Sequence, residues 1–118
     1  SEFSLTDVEG DATREILTHR GDMYMICMTS MNKLSDKCRA NLISLVERAQ
    51  SEGAAVVCLT PQPLREVTYM PFGDNDPVRC YNIDATVMKT MLRAENGVVW
   101  LRDGVIAGKY NCRNIDID

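Results

Sequence analysis

Apolar residues along this chain recur in two rhythms, every second position in some segments and every third or fourth in others, and the two mark strands and helices respectively. Phe3–Gly10 alternates apolar and polar residues up to a Glu9-Gly10 turn, which predicts a half-buried strand entering a hairpin, with a short second element before Gly21. Met23–Met28 is apolar on both faces, the pattern of an interior strand covered by helices on each side of a parallel or mixed sheet. From Leu34 to Ala49 the residues Leu34, Cys38, Leu42, Leu45, Val46 and Ala49 follow spacings of three and four, one buried helical stripe that Gly53 stops. Ala54–Leu59 reads as a second fully buried strand, and the intervening roughly 25 residues suit a right-handed βαβ crossover.

Thr60-Pro61-Gln62-Pro63 ends that strand, because proline neither donates to the ladder nor continues it. Leu64–Tyr69 predicts one or two helical turns, and Pro71, Gly73 and Pro77 make the stretch to Asp76 an irregular surface loop. Val78–Ile83 alternates as a short strand, and Asp84 is placed to cap a helix that buries Val87, Met88, Met91 and Leu92. Gly97–Arg102, the turn Asp103-Gly104 and Val105–Tyr110 form a hairpin, since Asp-Gly supplies the positive φ angles of a type I′ turn.

The 118 residues, 45% hydrophobic and 25% charged, suit a single domain over 1–118 with a core of its own. Net charge is −4, and the 13 Lys and Arg are spread singly along the chain, which disfavours nucleic acid as a partner. The apolar runs Met23–Met28 and Ala54–Leu59 fall far short of the roughly 18 to 20 residues that span a bilayer, so no membrane insertion by this segment is expected. A start on strand-like sequence at Phe3, without a signal-peptide pattern, points to a cytosolic protein or an excised piece.

The order of strand pair, βαβ unit, strand, helix and terminal hairpin resembles the thioredoxin superfamily over essentially the whole chain. Phe3-x-Leu5-x-Asp7-x-x-Gly10, with Gly21 eleven residues on, resembles the entry of peroxiredoxins and membrane-tethered thiol-disulfide oxidoreductases. Gly97–Gly104 resembles the closing hairpin of thioredoxins. Thr86–Gly97, continuing through Asp103-Gly104, is similar to the soluble C-terminal tail of Bacteroidetes DoxX-like membrane proteins. The resemblance implies a thioredoxin-like α/β fold: a central mixed β-sheet flanked by helices, with an N-terminal strand pair and a C-terminal β-hairpin. It also implies tethering to a membrane through an upstream region, on the periplasmic side.

Against that family pattern, the active-site dithiol is missing. The stretch after the central strand reads Cys27-Met28-Thr29-Ser30-Met31-Asn32-Lys33, with no second cysteine three positions away and no Pro-x-x-x-Thr-x-x-Cys arrangement. The position of the family's cis-proline, eight residues before Gly104, holds Asn96. A cis bond costs a non-proline residue about 2.5 to 4 kcal/mol, so a trans bond is expected there. Two linked losses imply a binding or regulatory module without dithiol chemistry, with a protein partner at the former active-site surface. Thr29, Ser30, Met31, Asn32 and Asn96 are its candidate ligand-binding residues. Hydroxyls and N–H groups at a helix start can hold an anion or a peptide carbonyl, though the same residues also serve simply as helix caps.

The alternative is a single-cysteine thiol enzyme using Cys38, where Lys37 and Arg39 favour a thiolate. Cys38 also sits on the apolar helical stripe, which fits a core residue equally. Cys27 and Cys58 lie in apolar strands and read as core, Cys80 alternates on an outer strand where it can face either way, and Cys112 near the C-terminal end is expected to be exposed and open to an intermolecular disulfide. The five cysteines are separated by 11, 20, 22 and 32 positions, so neither a disulfide framework nor a metal knuckle is indicated. His19 stands in a polar turn without a partner, and Asp74 and Asp76 read as turn residues rather than a calcium loop. Met23, Met25, Met28 and Met31 either fill the core or offer an adaptable apolar surface. No metal or cofactor is expected.

Overall fold

Asp22–Met28 (β3) forms the middle of the sheet because every residue from Met23 onward is apolar and finds cover on both faces. In the computed structural model, which describes residues 3–30, 33–64 and 68–117, β3 lies parallel to Ala55–Thr60 (β4) and antiparallel to Asn96–Arg102 (β7). The short strands Thr6–Asp7 (β1), Gly10–Asp11 (β2) and Tyr69–Met70 (β5), with Val78–Asn82 (β6) and Val105–Asn111 (β8), complete an eight-stranded mixed sheet. Its order is β2-β1-β6-β4-β3-β7-β8, with β5 paired to β6 off that path. The helices are Thr13–Leu17 (α1), Asp36–Ser51 (α2) and Ala85–Met91 (α3), of 5, 16 and 7 residues.

This architecture corrects the expected fold class. The molecule is mostly one broad sheet with little helix, not a thioredoxin-like central sheet flanked by helices. The physical reason lies in the weakly patterned segments. Gly10–Asp11 pairs with β1 as the second strand of the expected N-terminal hairpin, while Tyr69–Met70, expected as the end of a helical turn and the start of a loop, instead pairs with β6 and widens the sheet. α1 and α3 are too short to cover one face, so Leu5 and other loop residues fill it alongside Ile16, Val87, Met88 and Leu92. On the opposite face α2 presents Leu42, Leu45, Val46 and Ala49 to Ile26, Cys58 and Val98.

Local chemistry sets the ends of these elements. Ser35 caps α2 by accepting the Cys38 N–H at 3.1 Å, and Asp84 caps α3 by accepting from Thr86 N at 2.8 Å and Val87 N at 3.1 Å. The β7–β8 turn has positive φ at Asp103 (53°) and Gly104 (79°), as a type I′ turn demands. The Asp103 carboxylate accepts the Gly21 N–H at 2.7 Å, tying that hairpin to the loop before β3.

Candidate functional site

The sheet ends where β3 runs out, and there the sequence-predicted loop meets the start of β7. Met28 pairs with Asn96, and the Thr29 N–H donates to the Glu95 carbonyl at 3.0 Å. Thr29 and Ser30 are half-buried, and the Thr29 backbone is tied to the residue preceding Asn96. Met31 and Asn32 lie outside the described residues.

Asn96 is only 6% exposed, and its side-chain Oδ1 is buried with no hydrogen-bond partner. Its backbone carbonyl accepts the Cys112 N–H at 3.1 Å, so the end of β8 closes over it. The described peptide bonds include no cis bond. Asn96 lines a hollow of about 240 Å³ together with Lys33, Ser35, Cys38, Glu95 and Arg113. Ser35 and Cys38 place the first turn of α2 on one wall of it.

Cys38 and Cys112 form a disulfide across a sequence separation of 74, with Cα atoms 5.0 Å apart. The Asn41 side chain adds a second tie, donating to the Cys112 carbonyl at 2.9 Å. This corrects the reading of the cysteines: a disulfide is present, and Cys38 is held in it at 4% exposure, which leaves no accessible thiol at that position. Spacing carried no signal for the pair, because each cysteine belongs to a different element and only the fold makes them neighbours.

Cys27, Cys58 and Cys80 are free thiols in the core. Burial pushes the Cys27 thiol up to about 12. A hydrogen bond to Cys80, reinforced by burial, likewise keeps the Cys58 thiol protonated. Met23, Met25 and Met28 are core residues rather than a contact surface. His19 is half-buried after α1. Asp74 and Asp76 are exposed turn residues, the turn being held by Asn75, which donates to the Phe72 carbonyl at 2.8 Å. Among the described residues no cluster of His, Cys, Asp and Glu is arranged to hold a metal ion, and no helix is long and apolar enough to cross a membrane.

A second hollow, of about 460 Å³, adjoins the first and shares Ala94 and Asn111 with it. Arg93 and Lys109 stand in its lining, with Leu92 and Tyr110 beneath. The close approach at its floor depends on Gly97. A Cβ there would press on the Tyr110 carbonyl oxygen and come within 2.7 Å of Leu92 Cδ2. No protein-family model matches this chain, and no curated protein matches it.

Proposed function

We propose that this domain is a binding module, without turnover of its own, that receives a protein partner in the groove where Asn96 and Glu95 face the start of α2. The observation that carries this reading is Asn96, a buried side chain whose Oδ1 has no partner and which lines an open hollow. A polar side chain held nine-tenths buried at the wall of a hollow carries a desolvation cost of about 1–3 kcal/mol when an acceptor is left unpaired, which favours a role at that wall over simple packing. The disulfide supports the non-enzymatic side of the reading, since a thiol catalyst needs an accessible, ionisable sulfur and Cys38 has neither property while bonded.

The disulfide also supports residence in an oxidising compartment. The resemblance of Thr86–Gly97 to DoxX-like tails supports tethering by chain outside these residues, and four apolar spans upstream in the full reading frame are then expected.

Selection from a random peptide library displayed on phage tests the binding role. Recovered peptides are expected to lose binding when the domain carries Asn96→Leu, and the wild-type domain is expected neither to reduce insulin nor to consume peroxide. Turnover abolished by Cys38→Ser, or a library that yields only peptides indifferent to Asn96→Leu, overturns the proposal.

A further inference from the structure

The two adjoining hollows carry a charge that the chain as a whole does not. Net charge is −4, yet the groove lining holds Lys33 and Arg113 at one end and Arg93 and Lys109 at the other, against a single acidic side chain, Glu95. The ion pairs among the described residues involve Arg79 and Arg102, and none of these four cations takes part in one. The first turn of α2, a helix of 16 residues, faces the same space through Ser35 and Cys38 and adds the partial positive charge of its N-terminus.

We infer that the groove binds an extended acidic peptide segment, with carboxylates meeting Lys33 and Arg113 at one end and Arg93 and Lys109 at the other, and its backbone running past Asn96. This inference rests on the binding role proposed above and names the partner's chemistry. Cations at both ends require a ligand whose negative charges are spaced apart, and the polar Asn96, Ser35 and Asn111 between them suit the amide groups of a chain that connects those charges. A peptide supplies both, whereas a compact anion supplies charge without an N–H. Single-stranded nucleic acid fits less well, because the lining offers one aromatic side chain, Tyr110, where successive bases would need several to stack on.

The test titrates the 15N-labelled oxidised domain with a capped octapeptide alternating aspartate and alanine. Parallel titrations use the same peptide with asparagine for each aspartate, citrate, and oligothymidylate. The aspartate peptide is expected to move the Asn96 side-chain amide resonance and to bind at least about tenfold more tightly than the asparagine peptide. The double variant Arg93→Glu/Lys109→Glu is expected to weaken the aspartate peptide at least about fivefold and leave the asparagine peptide unchanged, with added salt acting in the same direction.

Equal binding of the aspartate and asparagine peptides at Asn96 overturns the acidic specificity and leaves the binding role standing. Citrate or oligothymidylate binding as tightly as the aspartate peptide overturns the assignment to a peptide. If no probe moves Asn96, the inference fails, and the phage selection then decides separately whether the binding role fails with it.

Discussion

Cys38, in the first turn of α2, is bonded to Cys112, in the segment leaving β8, so one covalent link closes a loop of most of the chain. Cross-linking residues 74 apart removes conformations from the unfolded ensemble, and disulfides of this kind contribute about 2–4 kcal/mol. The variant Cys38→Ala/Cys112→Ala is expected to lose about that much in urea unfolding. Equal stability of the oxidised and reduced protein would show that the bond does no structural work.

The remaining thiols are silent for a different reason. Cys27, Cys58 and Cys80 are buried, so a thiol reagent at neutral pH is expected to label none of the five cysteines in the native protein. Denaturation without reductant should expose three, and denaturation with reductant all five. Mass spectrometry of alkylated protein counts them, and five labels without reductant would contradict the Cys38–Cys112 bond.

Asp22 couples the central strand to the hairpin. Its carboxylate accepts from Trp100 Nε1 and from Arg102 Nε, each at 2.9 Å. The Arg102 bond first, and the Trp100 bond second, hold its carboxyl below the ordinary carboxylate range. A lowered folded value means that the stabilisation is complete above the unfolded carboxylate value of about 4 and is lost as pH falls through the lowered one. Asp22→Asn is therefore expected to flatten the acid limb of the stability profile. Because the pair is partly exposed, the cost at neutral pH is about 0.5–1 kcal/mol and shrinks with salt. An unchanged acid limb in the variant would remove Asp22 from the account.

Gly97 has no room for a side chain. Gly97→Ala drives a methyl group into the Tyr110 carbonyl and Leu92, and overpacking of this kind costs about 1–3 kcal/mol. Thermal unfolding measures it, and the groove floor should move with it, visible as shifts at Leu92 and Tyr110. A neutral substitution would mean that β7 and β8 separate more readily than their pairing suggests.

Asn96 gives the opposite expectation. Replacing a buried, unpartnered acceptor by an apolar group of similar size removes a desolvation cost, so Asn96→Leu should leave stability within about 1 kcal/mol of wild type or raise it. A loss above about 3 kcal/mol would show that Oδ1 is satisfied in solution, by ordered water for example.

The sequence by itself determined the elements whose signal is local. Cys38, Leu42, Leu45, Val46 and Ala49 make a helical stripe wherever they are placed, Met23–Met28 and Ala54–Leu59 are too apolar to face water, and Asp103-Gly104 fits a tight turn on its own backbone terms. It also drew attention to Asn96 and Thr29. What it could not carry was anything set by pairing at a distance. The alternation over Phe3–Gly10 marked the N-terminal hairpin, but the two-residue strand β5 has no periodicity to read, and the joining of β1 and β5 to β6, with the breadth of the sheet and the departure from the helix-flanked fold, came only from the tertiary structure. Cys38 found Cys112, and Lys33, Arg93, Lys109 and Arg113 gathered around one groove, because the ends of β7 and β8 and the start of α2 converge. Cations that stand apart along the chain make a basic site only when folding removes the distance between them.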